Sequence, residues 1–200
     1  MQPQTSFVSR VQATEYVKAI SGGRGEKKGD LTLNRATDSV RQPGSVFKVI
    51  SSFAPALDSC GATLGTVYYD SQYTVNEKTI RNWYSAGYLG YHNIREGIVY
   101  SMNVIASRCL METVTTQLGI ESAEHMGIST LVSSDITPAA ALGGLTYGVT
   151  NLELTSAFAA TANGGMATEP VFLTRILAPH RQYLIHNHPD TPPALQQPTA

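Results

Sequence analysis

Charge is scarce in this chain. Of its 200 residues only 14% are Asp, Glu, Lys or Arg, against about a quarter in an ordinary soluble domain. Neither sign predominates: Lys plus Arg number 14 and Asp plus Glu 15, a formal net charge of −1. A nucleic-acid binder would carry a basic excess and an acidic-tail protein the reverse, so both classes are set aside. Cysteine is also sparse. Cys60 and Cys109 allow at most one bridge, and neither sits in metal-ligand spacing. Cys109 lies in an apolar helical stretch, where a buried free thiol is expected. No apolar run approaches the roughly 18 residues of a membrane span. Met1-Gln-Pro-Gln-Thr-Ser6 has no basic flank leading into an apolar core, so no secretory leader is read there. As written, the chain is expected to be neither exported nor anchored. Internal repeats are absent.

What is present is a core-forming chain, 42% hydrophobic and long enough for one domain. Its polar character comes from Ser, Thr, Asn, Gln and 10 Tyr, a composition common in proteins working outside the cytoplasm. Ser6 to Val11 and Tyr16 to Ser21 read as two short strands, and Gly22-Gly23-Arg24-Gly25 as the turn that ends the second. That glycine run lacks the spacing and the Lys-Ser/Thr ending of a phosphate-binding loop. Pro43-Gly44 breaks the chain before a helix over Val46 to Leu57, whose last turn Pro55 should bend. Residues 58 to 92 read as extended segments and loops, with Trp83 and nearby tyrosines as packing anchors. Asn93-Ile-Arg-Glu96 is a capping box opening a short helix that ends near Ser101. A longer helix follows from Val104 to about Leu118, with Val104, Ile105, Cys109, Leu110, Val114 and Leu118 on one face. After Gly143-Gly144, Thr150-Asn-Leu-Glu153 caps a helix running to Ala162, stopped by Asn163-Gly164-Gly165. Val171 to Leu177 and Gln182 to His186 read as a hairpin, and the proline-rich tail from Pro189 shows no partner.

Two short motifs carry chemistry. Ser45-Val-Phe-Lys48 places a hydroxyl and an amine at i and i+3, on one face at a helix N-terminus. A serine hydroxyl is too weakly acidic to attack a carbonyl unaided, and a lysine one turn away serves as base if its pKa falls from about 10.4. The helix dipole and the Ser45 N–H, a candidate oxyanion donor, then face the carbonyl under attack. Standing alone, the pattern reads as a helix-cap serine beside a solvated lysine. Ser101-Met-Asn103 falls between two expected helices, where a tight turn can aim two short polar side chains into a cleft. By itself it reads as helix capping. Each motif occurs once, in the order that serine acyltransferases of this geometry require.

Arg41-Gln-Pro-Gly-Ser-Val-Phe-Lys48 resembles the active-site signature of the penicillin-binding proteins, and most closely their bifunctional class A members. Val17 to Arg24, Leu33 to Ala36, Asn82-Trp-Tyr84, Ser101 to Asn103, Ala141 to Gly144 and Ala162 to Gly165 follow in the family's order. The resemblance runs from about residue 5 to 190. It implies an α/β (α+β) fold of the penicillin-binding protein and serine β-lactamase type, a helical cluster with an incomplete antiparallel sheet. Residues 1 to 188 would be the N-terminal part of a transpeptidase domain and 189 to 200 a tail. The implied activity is that of a D,D-transpeptidase or carboxypeptidase, without a cofactor. Ser45 would attack the D-Ala-D-Ala amide of a peptidoglycan stem peptide, Lys48 would be the base, Ser101 the proton relay and Asn103 a contact to the substrate amide. β-Lactams would acylate the same serine. The family's setting is the outer face of the cytoplasmic membrane, in a parent with a membrane anchor and a glycosyltransferase domain.

The third motif of that family, Lys-Thr/Ser-Gly on a strand, is not found. Lys78-Thr79 is followed by Ile80 and precedes the second motif. Without that lysine, Lys48 is expected to stay largely protonated, and the chain to form no stable adduct with a fluorescent penicillin. Three other readings follow: a catalytically incompetent remnant, a non-enzymatic β-lactam-binding domain, and a serine β-lactamase. The last would need an E-x-x-L-N run; Asn151-Leu-Glu-Leu154 has a different order and reads as a helix cap. His186-Asn-His188 has no carboxylate or thiol nearby to complete a metal site. The five histidines support no Ser-His-Asp triad.

Overall fold

The structure, a computed structural model, describes residues 3–12, 14, 16–187, 191–197 and 199. At the N-terminus, β1 (Phe7–Arg10) and β2 (Val17–Ser21) pair antiparallel, with Phe7 opposite Ser21, as the two Val- and Ile-bearing runs suggest. Beside them, Val17 donates its backbone N–H to the Val171 carbonyl at 2.9 Å.

The helical run beginning at Gly44 changes pitch along its length. A 3-10 turn at Gly44–Val46 leads through Phe47 and Lys48 into a π-helical stretch, Val49–Phe53, and then α1, Ala54–Ser59. Pro55 therefore stands in the first turn of α1 rather than bending the last. It has no N–H to offer the Ser51 carbonyl in α register, and the wider turns lie directly upstream of it. This run is the centre of the core: Phe47, Ile50 and Phe53 are fully buried among Ile94, Met102, Ile105, Leu110, Met126 and Ile128.

Between Cys60 and Asn93 the chain forms β3 (Val67–Asp70), β4 (Tyr73–Val75), β5 (Lys78–Ile80) and β6 (Gly90–Asn93). β3 pairs with β6 and β4 with β5, both antiparallel. Tyr68 is buried, with its hydroxyl 2.7 Å from Thr113 Oγ1. Trp83 is not a packing anchor. It is 71% exposed, and its indole N–H donates to the Tyr100 carbonyl at 2.9 Å.

The Asn93–Glu96 capping box opens α2, Ile94–Val99. The expected single helix from Val104 to Leu118 is two. α3 (Asn103–Arg108) passes into a π-helical stretch, Cys109–Val114, then breaks at Thr115, whose φ of 86° lies outside helical space. α4 (Thr116–His125) starts afresh, and Leu118 is only half-buried. Close packing explains the break: a Cβ on Gly119 would stand 2.5 Å from the Ser51 carbonyl oxygen, so α4 must cross the central helical run at backbone distance. Both cysteines are free, and Cys109 is fully buried. Burial pushes its thiol up to about 11.

A 3-10 turn at Pro138–Leu142 precedes α5 (Asn151–Ala162), which has the expected Thr150–Glu153 capping box. The hairpin pairs β7 (Arg175–Leu177) with β8 (Tyr183–His186), shorter than read from sequence. The tail does find a partner. Ala194 and Leu195 both donate to the Gly165 carbonyl, Leu195 is 4% exposed within the core, and the Gln196 N–H reaches Asp58. The φ of 82° at Gly165 permits this approach, and a Cβ there would stand 2.2 Å from the Leu195 carbonyl oxygen. The mixed helical cluster with small antiparallel sheets agrees with the fold class expected from sequence.

Candidate active site

The segment ahead of Ser45 is held by one strip of chain, residues 143 to 149. Arg41 and Val149 exchange backbone hydrogen bonds at 3.0 and 2.9 Å. The Gln42 amide grips Leu145 by both ends, donating to its carbonyl at 2.5 Å and accepting its N–H at 2.8 Å. A Cβ on Gly143 would lie 2.3 Å from the Gly44 carbonyl oxygen, and one on Gly148 equally close to that of Arg41. Ala141-Leu-Gly-Gly144 thus acts on the first motif by letting two backbones touch. Ser45 sits in the 3-10 turn, exposed, and its hydroxyl forms no hydrogen bond among the described residues.

Lys48 is 2% exposed. Its ammonium donates to the Ser101 carbonyl at 2.7 Å, Ser101 Oγ at 3.0 Å and Asn103 Oδ1 at 2.6 Å. Burial alone pulls its pKa from 10.5 to about 8. At pH 7 the amine is thus still largely protonated, the state expected without a neighbouring lysine, while desolvation lowers its pKa with no second cation.

The two short polar residues reach Lys48 because the chain turns tightly between α2 and α3. Ser101 takes a φ of 50°, and the N–H groups of Ser101 and Met102 close back on Ile98 and Gly97. Met102 is committed to the core and leaves the N-terminus of α3 without a polar cap of its own. Asn82 supplies it, its Oδ1 accepting from the N–H groups of Asn103 at 2.9 Å and Val104 at 3.3 Å. Asn103 in turn donates its side-chain amide to the Arg81 carbonyl at 2.7 Å. Behind Asn82 stands Asp70, 1% exposed, accepting from Asn82 Nδ2 and Tyr84 Oη at 2.8 Å and from the Leu89 N–H at 2.9 Å.

The structure thus gathers Lys48, Ser101 and Asn103, with Ser45 one turn before Lys48. It differs from the sequence reading in one respect: both ends of the Asn103 amide are engaged within the protein. Asn82 and Asp70 were not singled out as functional. Asn82-Trp-Tyr84 was visible as a string, but the partner that gives it meaning is 12 residues away on β3.

Lys78-Thr79 lies on β5, and Lys78 lines an open groove of about 780 Å³ that also reaches Gly44 and Gly143-Gly144. Glu153 is spent on structure. Burial raises its pKa, but hydrogen bonds from Ser129 and Thr150 outweigh that and hold it below the usual carboxylate value. His186 stacks against Tyr183, whereas His188 lies outside the described residues. Among the described residues no cluster of His, Cys, Asp and Glu is suited to a metal, and no helix is long and apolar enough to cross a membrane.

Comparison with known proteins gives this geometry a context. A family model described as the penicillin binding protein transpeptidase domain matches residues 6–198. The chain is 31% identical over 163 residues to penicillin-binding protein 4 of Bacillus subtilis, covering 82% of this chain and 26% of that protein. It is 29% identical over 205 residues to penicillin-binding protein 1A of Clostridium tetani, covering 94% and 25%. The chain therefore spans about a quarter of the length of these curated relatives. It superimposes on the crystal structure of penicillin-binding protein 1A from Haemophilus influenzae with a TM-score of 0.80 at 28% identity, covering 94% of this chain and 28% of that one.

Proposed function

Because the chain belongs to the penicillin-binding protein transpeptidase family, we propose that it is the acyl-serine module of a D,D-transpeptidase that cross-links peptidoglycan stem peptides and is acylated by β-lactams. The observation that carries this reading is Lys48: a buried amine, one turn after an exposed serine, held against Ser101 and Asn103.

Ser45 is the nucleophile. With a pKa of about 8, roughly a tenth of Lys48 is neutral at pH 7. The neutral amine takes the Ser45 proton as Oγ attacks the penultimate D-alanine carbonyl, and the Ser45 N–H at the helix start faces the developing oxyanion. Ser101, hydrogen-bonded to Lys48, relays the proton to the leaving nitrogen, and the C–N bond breaks to release the terminal D-alanine. An amine from a neighbouring stem then attacks the ester, forming the cross-link and returning the serine; water in its place gives a carboxypeptidase. A β-lactam enters the same sequence, but its leaving nitrogen stays attached to the acyl group. Asn103 holds Lys48 through Oδ1, and its side-chain NH₂, which meets the Arg81 carbonyl here, is the group offered to a substrate amide that takes that carbonyl's place. The same reading puts the parent protein at the outer face of the cytoplasmic membrane, membrane-anchored and joined to a glycosyltransferase domain; the likeness to penicillin-binding protein 1A supports it.

Covalent labelling tests the reading. In place of the missing adduct expected from the absent third motif, burial of Lys48 leads us to expect that incubation with penicillin at pH 9, followed by intact-mass analysis and peptide mapping, shows a mass gain equal to the β-lactam on the Ser45 peptide, absent in Ser45→Ala. Labelling at pH 7 is expected to be about tenfold slower, following the neutral fraction of Lys48. No adduct at either pH would leave a remnant or a non-covalent binder. Rapid turnover without an adduct would indicate a β-lactamase, which the structural use of Glu153 opposes.

A further inference from the structure

The capping of α3 by Asn82 depends on which way its side-chain amide faces. An amide offers a carbonyl at one end and an NH₂ at the other, and reversal exchanges them. Asp70 fixes the choice. Its carboxylate is an acceptor, it is 1% exposed, and among the described residues no cation pairs with it. The NH₂ of Asn82 must therefore face Asp70, which leaves Oδ1 facing the Asn103 and Val104 N–H groups. Asn103 is then pinned through its backbone by Asn82 and through its side-chain NH₂ by the Arg81 carbonyl. Its one free end, Oδ1, meets Lys48 at 2.6 Å.

We propose that Asp70 and Asn82 are positioning residues of the acylation site, Asp70 orienting the Asn82 amide so that α3 presents Asn103 and Ser101 to Lys48. The proposal rests on the acyl-serine reading above. Neither residue touches the nucleophile. Both act through the start of α3, and an error of about 1 Å in that position can cost on the order of 100-fold in rate. Tyr84 is the titratable side chain on Asp70. Burial, followed by its hydrogen bond to that carboxylate, raises its phenol, which stays neutral through the range used below. Lys48 lies beyond Asn103.

Asn82→Asp separates orientation from simple capping. Aspartate caps a helix as well as asparagine does, so a cap without an orienting role would leave the Asn103 and Val104 environment and the acylation rate like the wild type's at both pH values, whatever charge repulsion at Asp70 costs in stability. Facing Asp70, however, the new carboxyl restores the lost donor only while the pair holds a proton, since adjacent carboxylates resist ionising together. The full chain is compared with Asn82→Asp at pH 6.5 and pH 9 by two readouts: amide NMR signals of Asn103 and Val104, and the rate of penicillin mass gain on Ser45. The variant is expected to resemble the wild type at pH 6.5. At pH 9 the two amide signals are expected to move and acylation to fall about tenfold or more below wild type. Both chains share the shift caused by Lys48 titrating beside Asn103, so a difference between variant and wild type, in signals and in rate, that is the same at pH 6.5 and pH 9 would overturn the proposal. If Asn82→Asp does not fold, Asp70→Asn, equal in size and uncharged, takes its place. It is expected to move both signals and slow acylation about tenfold at either pH; unchanged values would overturn the proposal. A wild-type chain that is never acylated defeats the acyl-serine reading, and the NMR comparison still decides whether Asp70 orients Asn82.

Discussion

Lys48 is where burial and chemistry meet at the scale of one residue. Its folded pKa of about 8 lies below its ordinary 10.5, so the unfolded chain binds more protons between those values. Stability therefore rises with pH through that window, and below it the buried ammonium costs about 3 kcal/mol relative to a solvated one. Lys48→Met removes this titration. In denaturant melts the wild type is expected to gain about 2 kcal/mol relative to Lys48→Met between pH 7 and pH 10. A difference independent of pH would mean that Lys48 titrates alike in both states. The spacing of Ser45 and Lys48, i and i+3 in one helical run, was legible, and their pairing remains the proposal. The depth of Lys48 was not, since it depends on Phe47, Ile50 and Met102 closing around the same run.

At the scale of the element, local signals succeeded where one stretch of chain satisfies its own ends. The boxes Asn93–Glu96 and Thr150–Glu153 set the starts of α2 and α5 to the residue. Thr150 Oγ1 accepts the Glu153 N–H at 3.2 Å and donates to its carboxylate at 2.8 Å. Thr150→Ala is thus expected to lower stability by about 1 kcal/mol, read as a fall in thermal midpoint. No change would show that the box is dispensable once α5 is packed. Local signals failed where a neighbour decides. Thr115 breaks a helix that its own sequence would continue because Gly119 must meet Ser51, and α3 borrows its cap from Asn82 because Met102 belongs to the core.

The whole molecule is organised around the helical run that carries Ser45 and Lys48. One strip, residues 143 to 149, fixes the entry to that run, and α3 and α4 pack along it. The Gly-Gly strings were visible in sequence, but their role as points of backbone contact required the fold. The same holds for the tail, whose prolines suggested an unpartnered end while Leu195 enters the core and Gln196 reaches Asp58. Leu195→Ala is expected to destabilise the chain by about 3 kcal/mol in denaturant unfolding. A loss below about 0.5 kcal/mol, the scale of a surface substitution, would show that the tail adds nothing to the core.

The central claim is that buried Lys48 is the base for Ser45, and the pH dependence of acylation addresses it most directly. The initial rate of penicillin mass gain on the Ser45 peptide, followed from pH 6 to pH 10 with Ser45→Ala as the blank, is expected to rise about tenfold per unit below the Lys48 pKa and to level above about 8. A rate indifferent to pH across that range, or a mass gain that persists in Ser45→Ala, would contradict it.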